Sequence, residues 1–107
     1  MRKLVNLLVR KDGMSHEEFR EYWLNEHAPM AEDLPGVAKY TTSLPGDPEK
    51  SAYDGIAELY LEDGVDVATV FSSEAGKKIQ EDTTNFLDDD AGEILIVDQT
   101  VQFDDDK

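Results

Sequence analysis

One titratable side chain, His27, falls on the apolar side of a predicted helix. At about 100° per residue, Trp23 lies roughly 40° and His27 roughly 80° from Phe19 around the helix axis, so the three share the arc that must be buried. Because an unperturbed imidazole titrates near neutral pH, a histidine in this place is suited to general acid/base chemistry. The helix end, expected at Pro29, would favour the protonated ring.

Other roles for His27 stay open on the residues alone. A histidine on an apolar helix face is often a hydrogen-bonded core residue. A haem iron needs only one histidine, so a haem ligand is a further alternative. A metal ion has the least support, because the other histidine, His16, stands about three turns away and no ligand cluster accompanies His27. We therefore predict no metal site.

Four further side chains are candidates for a substrate-binding site around His27. Small apolar ligands are usually held by aromatic walls with few polar groups. Trp23 stands one turn before His27, and Tyr40 lies on a predicted strand face that points toward the helices. Asp82 and Phe86 end the second helical region, where they could close a cleft or serve only as a capping acid and a core ring. We predict that Trp23, Tyr40 and Phe86 form walls and that Asp82 orients a polar group.

The motifs of several enzyme classes are missing from this sequence. It has no phosphate-binding glycine loop ending in lysine, no glycine-flanked serine and no His-Glu-x-x-His helix. It has no cysteine, which excludes disulfides, thiolate nucleophiles and cysteine-based zinc sites. The acidic run at residues 88–90 lacks the ligand spacing of an EF-hand. No nicotinamide or flavin motif is present either, so we expect no cofactor, with haem as the alternative.

The elements that must position these residues follow from hydrophobic patterning. Ser15 and Glu18 form a capping box, from which we predict one regular helix that ends at Pro29. Strands are predicted at residues 4–9, 37–44, 56–62 and 93–103, and a second helical region at residues 65–83. The order β-α-β-β-α-β predicts a ferredoxin-like α+β fold, with a four-stranded antiparallel sheet and both helices on one face.

The length of 107 residues is enough for one core. We predict a single domain at residues 1–103, followed by an acidic C-terminal tail at residues 104–107.

Alternation along the strands divides the predicted sheet into two faces. We expect the helices to cover Val5, Leu7, Val9, Ala57, Leu59, Leu61, Leu95, Val97 and Val101. The opposite face would carry Leu4, Asn6, Leu8, Ile56, Glu58, Tyr60, Ile94, Ile96 and Asp98. No element remains to cover this second face, and it is too apolar to leave in water. The sequence therefore predicts a homodimer in which two sheets pack face to face.

The chain is strongly acidic, with 25 Asp and Glu against 10 Lys and Arg and a formal net charge of -15. Such a charge repels phosphate backbones and anionic membranes, so we expect neither nucleic acid nor membrane as a partner. The apolar run near the N-terminus is too short for a signal or membrane segment, and we expect a cytoplasmic location. Dispersed acids with few lysines also suggest a halophilic-type surface, adapted to high salt.

Several of these motifs together resemble the EthD family, including its small members labelled EthD family reductase. They are Ser15-x-x-Glu-Phe-x-x-Tyr-Trp-x-x-x-His27-Ala-Pro-Met30, Leu34-Pro-Gly36 with Tyr40, Tyr53-Asp-Gly-Ile-Ala-Glu-Leu-Tyr60 and Asp82-x-x-Asn-Phe-Leu-Asp88. The resemblance spans nearly the whole chain. It implies a dimeric α/β barrel, with the family histidine at His27, aromatic neighbours at Phe19 and Trp23, and later family positions at Asp82 and Phe86.

The resemblance also indicates which functions to expect. It implies relatives associated with ether degradation alongside an oxygenase, and others that act on aromatic or polyketide-like molecules. We expect a small-molecule enzyme, an oxidoreductase by family label or an isomerase or cyclase by barrel type, in which His27 is a general acid/base. The alternatives are a non-catalytic ligand-binding or accessory protein for an oxygenase system, and a haem-binding barrel.

Overall fold

The chain folds into a four-stranded antiparallel sheet with helices packed on one face. The computed structural model describes residues 1–105. The elements are β1 (Arg2–Leu8), α1 (His16–Tyr22), β2 (Val37–Ser43), β3 (Gly55–Leu61), α2 (Val67–Ser72), α3 (Glu74–Asp82) and β4 (Glu93–Asp98). The strand order β2-β3-β1-β4 is that of a ferredoxin-like sheet, and each neighbouring pair is antiparallel. The predicted α+β class and topology are confirmed.

The first helix begins as predicted but does not continue as one regular helix. The amide of Glu18 donates to Ser15 Oγ at 3.1 Å, and the amide of Ser15 donates to Glu18 Oε1 at 2.9 Å, which completes the capping box. After α1 the chain forms a π-helical turn, Trp23–His27, and then a 3₁₀ segment, Ala28–Asp33. The helical path does not end at Pro29 as predicted, because this proline is the second residue of the 3₁₀ segment, where its missing amide is tolerated.

The second helical region consists of two short helices. Ser73 separates α2 from α3 and caps α3, because its Oγ accepts the amide of Gly76 at 3.0 Å. Gly76 is needed at this junction, since a Cβ there would lie 2.4 Å from the carbonyl oxygen of Val70. A 3₁₀ turn, Thr83–Asn85, then leads into the loop before β4. The helical boundary predicted near residue 83 is therefore close to the end of α3.

The final strand is shorter than predicted, ending at Asp98 rather than at Phe103. Its neighbour β1 begins at Arg2, which pairs with Asp98, and the amide of Gln99 bonds to the carbonyl of Met1 at 2.9 Å. Beyond that point no strand of the described chain is available for pairing. Phe103 is accordingly 83% exposed. The predicted tail at residues 104–107 lies partly outside the described residues.

The two sheet faces were correctly predicted for β3 and incorrectly for β1 and β4. Leu4 pairs with Leu59 and with Ile96, and these opposed residues share the face that carries the helices. The helix-side face therefore holds Leu4, Asn6, Leu8, Ala57, Leu59, Leu61, Ile94 and Ile96. The outer face holds Lys3, Val5, Leu7, Ile56, Glu58, Tyr60, Leu95 and Val97. Because β1 and β4 are apolar on both sides, their sequences do not fix the phase, and only pairing with β3 does.

Two hydrophobic clusters form the core between the sheet and the helices. One joins β1 and β3 to the second helical region through Leu4, Leu59, Val70 and Ile79. The other joins Leu8 and Ala57 to the aromatic side chains Phe19, Trp23 and Phe86. His27 lies beside the second cluster, because its ring is 4.6 Å from that of Phe86. In residues 1–105, no helix has the length and apolar character needed to cross a bilayer.

Candidate functional site

His27 is paired with a carboxylate from the far end of the chain. Its Nδ1 lies 2.8 Å from Asp82 Oδ2, and the ring is buried with 6% of its surface exposed. The π-helical turn supplies His27, and the last residue of α3 supplies Asp82. These segments meet because Phe86, just after α3, is fully buried against Phe19 and His27. The result is a histidine–aspartate pair on the apolar side of the sheet.

Two further side chains hold the carboxylate of Asp82. The hydroxyl of Tyr22 donates to Asp82 Oδ1 at 2.6 Å, and the side-chain amide of Asn85 donates to the same oxygen at 3.0 Å. Asn85 also donates to the Tyr22 hydroxyl oxygen at 3.2 Å. One carboxylate oxygen is therefore held by Tyr22 and Asn85, and the other faces His27. Three side chains, those of Tyr22, His27 and Asn85, therefore fix the orientation of Asp82.

These contacts set the charges of the pair at neutral pH. Burial lowers the pKa of His27 below its ordinary value, and the hydrogen bond and charge of Asp82 offset only part of this effect. Burial tends to raise the pKa of Asp82, but hydrogen bonds from Tyr22, His27 and Asn85 outweigh it and keep that pKa low. The helix end expected to favour a protonated His27 is absent there, since the helical path continues to Asp33. Near pH 7 the carboxylate is charged and the imidazole is neutral.

The pairing also selects the tautomer of the neutral ring. A carboxylate only accepts hydrogen bonds, so the proton of His27 resides on Nδ1 and points to Asp82. Nε2 then carries the lone pair. In the described chain Nε2 has no hydrogen-bond partner, whereas His27 lines a cavity between the helices and the sheet. The ring thus presents a base to whatever occupies that cavity.

The cavity beside His27 has a volume of about 590 Å³. Its wall is mainly apolar, with contributions from Leu4, Leu8, Ala57, Leu59, Phe71 and Ile79. Ile94 and Ile96 of β4 also line it, yet they are 63% and 54% exposed, so the cavity opens toward β4. This volume and lining suit a small, largely apolar molecule that enters from the β4 side.

Trp23 and Tyr40 form a hydrogen-bonded wall of this cavity. The indole Nε1 of Trp23 donates to the Tyr40 hydroxyl oxygen at 3.1 Å, and Trp23 is fully buried. Its ring lies against the backbone of β3 at Gly55, where an added Cβ would approach the ring to 2.5 Å. The absence of a side chain at Gly55 therefore allows Trp23 to reach Tyr40.

Comparison with known families now places the chain. Residues 11–90 match the EthD domain model, which covers most of the sequence. The chain belongs to the EthD family. The family predicted from the motifs is thereby confirmed. A comparison with curated proteins finds no match.

Solved structures share the EthD fold along nearly the full chain. An EthD family protein from Bacillus halodurans has a TM-score of 0.78 and 22% identity, and the match covers 94% of this chain and 99% of that one. HapK from Hahella chejuensis has a TM-score of 0.75 at 12% identity, with 100% of both chains covered. An EthD-like protein from Ralstonia eutropha has a TM-score of 0.68 at 20% identity, covering 98% and 97%. At these identities the likeness concerns the fold.

The structure brings most of the predicted EthD site residues to one place. His27, Trp23, Tyr40 and Phe86 all line the cavity. Asp82 does not line it and instead lies behind His27, so its contacts are with the base rather than with the cavity.

The predicted site residues did not include three side chains that contact Asp82 or line the cavity. Tyr22 and Asn85 hold Asp82, and Asn6 lines the cavity from β1. Asn6 was assigned to the wrong sheet face. Tyr22 lies five positions before His27, a spacing that regular α-helical geometry places on different sides. The one available signal was the pair Asp82 and Asn85, which share a helical face at i and i+3.

The residues around His27 do not suit a metal ion or haem. Within residues 1–105, no group of three or more His, Asp or Glu side chains is arranged to hold a metal ion. Haem would need an axial ligand, which Nε2 of His27 could supply, and cationic partners for its propionates. No Lys or Arg lines the cavity in the described chain.

Proposed function

We propose that this EthD protein is an enzyme that moves a proton on a small, largely apolar or aromatic metabolite, with His27 as the general acid/base. The observation that carries the proposal is the His27–Asp82 pair at 2.8 Å, on a ring that lines a cavity and whose opposite nitrogen has no hydrogen-bond partner in the described chain. Asp82 fixes the tautomer and stabilises the imidazolium that forms when Nε2 accepts a proton. Its role is thus to position His27, whereas the sequence predicted a contact with substrate.

The suited reaction begins at an acidic C–H or O–H bond. Nε2 of His27 takes the proton, the bonding electrons shift toward a carbonyl or aromatic system, and the imidazolium later returns the proton at the same or another position. Isomerisation and cyclisation of enolisable molecules follow this course without a change in oxidation state. An oxidoreductase reaction, as the family label reductase suggests, would need a separate hydride donor or acceptor. Proton transfer needs only an acid/base group, which His27 provides.

The charge state supports a base that works near neutral pH. An imidazole with a lowered pKa is unprotonated at pH 7, and its burial makes the charged form after proton uptake dependent on Asp82. A general base of this kind typically contributes about 10²- to 10⁴-fold to a rate.

A model substrate tests this proposal without knowledge of the natural one. The probe is β-tetralone, a small aromatic ketone with acidic protons beside its carbonyl, incubated in deuterium oxide and followed by proton NMR. We expect the wild type to exchange these protons faster than buffer does, and His27→Gln to lose about 100-fold or more of that acceleration. The matched control is His16→Gln, because His16 lies outside the cavity.

The same measurement separates the enzyme from a binding protein. Binding of β-tetralone without accelerated exchange in the wild type would overturn the catalytic role and favour a ligand-binding or accessory protein. Equal exchange by the wild type and His27→Gln would remove His27 from the mechanism. A Soret band after addition of haem would favour the haem-binding alternative.

We further propose that the functional unit is a homodimer through the outer sheet face. This face differs in composition from the one predicted, because β1 and β4 have the opposite phase. It still carries exposed Ile56 and Leu95 beside half-buried Val5, Leu7 and Val97. The support for pairing is that helices cover the other side of the sheet, whereas these side chains have no covering element in the described chain.

A further inference from the structure

We propose that Tyr40 is a second catalytic residue, whose hydroxyl donates a hydrogen bond to a carbonyl or phenolic oxygen of the substrate beside His27. The substrate class is thereby narrowed to molecules that develop negative charge on oxygen. The inference rests on the proposed function for the presence of a substrate, but not for the role of His27.

The hydrogen bonds of Tyr40 leave its proton available. An indole N–H only donates, so in the contact with Trp23 the hydroxyl oxygen of Tyr40 is the acceptor. The hydroxyl hydrogen must then point elsewhere. No acceptor for it is found among residues 1–105. Tyr40 is half-buried, so its remaining hydrogen is free to bond to a molecule that occupies the cavity.

Tyr40 lies where its hydroxyl can meet a molecule that is bound beside His27. Tyr40 and His27 line the same cavity of about 590 Å³, whose wall is mainly apolar. In such surroundings a hydrogen bond to a charged oxygen is stronger than in water. Among the other donors that line the cavity, Trp23 gives its N–H to Tyr40 and Thr83 gives its hydroxyl hydrogen to a backbone carbonyl. Asn6 on β1 is the other half-buried donor of this wall. Tyr40 is therefore suited to stabilise an oxyanion.

Burial keeps the Tyr40 hydroxyl protonated, although Trp23 acts in the opposite direction. Burial raises the pKa of Tyr40, and the hydrogen bond from Trp23 opposes this rise. The phenol thus stays protonated at neutral pH, while the Trp23 N–H polarises the hydroxyl and strengthens its donation. Gly55 maintains this arrangement, because a side chain there would displace the Trp23 ring.

The step balances without any further reactant. Nε2 of His27 takes a proton from the carbon beside a carbonyl, and the C–H electron pair forms a carbon–carbon double bond. The π electrons of the carbonyl move onto oxygen, which accepts the hydrogen bond of Tyr40 and remains an enolate. Return of the proton from His27 to carbon then reverses the flow of electrons. Tyr40 need not transfer its own proton.

A phenolate probe tests this role apart from proton transfer. Para-nitrophenol is titrated into the protein at a pH where phenol and phenolate coexist, and visible absorption reports the phenolate. We expect Tyr40→Phe to bind phenolate about 10- to 100-fold more weakly than the wild type, as for loss of a hydrogen bond to a charged group. Tyr53→Phe is the matched control, because the Tyr53 hydroxyl contacts Glu93 at 3.4 Å outside the cavity.

A second measurement needs no change at Tyr40. In the wild type and in His27→Gln, bound para-nitrophenol should titrate at a lower pH than the free probe. Retention of this shift in His27→Gln, together with loss of β-tetralone exchange, supports both proposals separately. Equal phenolate affinity in the wild type and Tyr40→Phe, including no affinity in either, overturns the role of Tyr40 whatever His27 does. Tyr40 would then be left as a wall residue, both of this cavity and of a groove of about 500 Å³ that it also lines.

Discussion

Tyr22 and His27 lie on the same side of their helix, and both reach the carboxylate of Asp82. In a regular α-helix five positions separate two side chains by about 140°. The turn Trp23–His27 is π-helical, with the amide of Ala28 bonded to the carbonyl of Trp23, so a full turn takes about one more residue. The widened turn is what aligns Tyr22 and His27. Single π-helical turns of this kind occur often at functional sites.

Replacing the carboxylate of Asp82 should show how much the activity depends on the orientation and tautomer of His27, because the histidine itself stays in place. In Asp82→Asn the side-chain amide can donate to Nδ1, which favours the wrong tautomer and removes the charge that stabilises the imidazolium. We expect β-tetralone exchange to fall by a factor on the order of 10³ to 10⁴. Tyr22→Phe should cost less, because Asn85 still holds Asp82. An activity in Asp82→Asn equal to that of the wild type would contradict this role.

The lowered pKa of His27 predicts a destabilisation in acid. Its ordinary value is 6.5, so below that pH the unfolded chain takes up a proton that the folded chain still refuses. Stability is therefore full above about pH 6.5 and falls as the pH drops toward the folded pKa of His27. Urea unfolding at several pH values should show a steeper loss for the wild type than for His27→Gln. Parallel curves for the two proteins would disprove this assignment.

The lowered pKa of Asp82 affects the stability of the fold in a different, more acidic pH range. The folded chain releases the Asp82 proton more readily than the unfolded chain does, so the charged carboxylate stabilises the fold above its ordinary pKa of 3.8. This stabilisation is lost as the pH falls through the folded pKa of Asp82. Comparison of the wild type with Asp82→Asn between pH 5 and the acid transition measures it. A variant that loses as much stability as the wild type in this range would contradict the expectation.

Gly55→Ala should disturb the wall of Trp23 and Tyr40. The new methyl group would lie 2.5 Å from the Trp23 ring, which is fully buried and has little room to shift. We expect a loss of about 1–3 kcal/mol in the free energy of unfolding, as for other overpacked cores. Gly46→Ala is the control, since a Cβ there meets nothing within 4 Å. Fluorescence of the single tryptophan should change in the first variant and not in the second.

The proposed homodimer predicts a mass by light scattering of twice that of one chain at micromolar concentration. Leu95→Asp places a charge in the outer sheet face and should give the monomer. Phe103→Ser removes an apolar side chain that is more exposed than Leu95 but lies beyond the sheet, and it should leave the dimer intact. A monomeric wild type would refute the assembly and leave the cavity of one chain as the complete site.

The net charge of -15 predicts that salt stabilises the fold. Repulsion among dispersed carboxylates is screened when the ionic strength rises, because the Debye length shrinks from about 10 Å at 0.1 M to about 3 Å at 1 M. We expect the urea midpoint to increase from low salt to molar potassium chloride. Greater stability in low salt would contradict a halophilic-type surface.

Local patterns in the sequence were sufficient to predict the fold and to group most of the candidate site residues. The capping box at Ser15, the turn residues and the strand alternation predicted the element order, and the order predicted the ferredoxin-like sheet. The same patterns grouped His27, Trp23, Tyr40 and Phe86 into one predicted site, and all four line one cavity. These features depend on spacings within a few residues, which hydrophobic periodicity and hydrogen-bonding preferences determine.

Tertiary structure alone decided the features that join distant segments. Strands β1 and β4 are apolar on both sides, so pairing with β3 was needed to choose the side that Asn6 occupies. The partnership of His27 with Asp82 spans 55 positions, and the π-helical turn that brings Tyr22 beside it has no sequence signature. Such contacts form because Phe86 and Trp23 are buried in the same core cluster, which brings the helix ends together. The free energy gained by this burial depends on the whole core, so no single segment of the sequence predicts it.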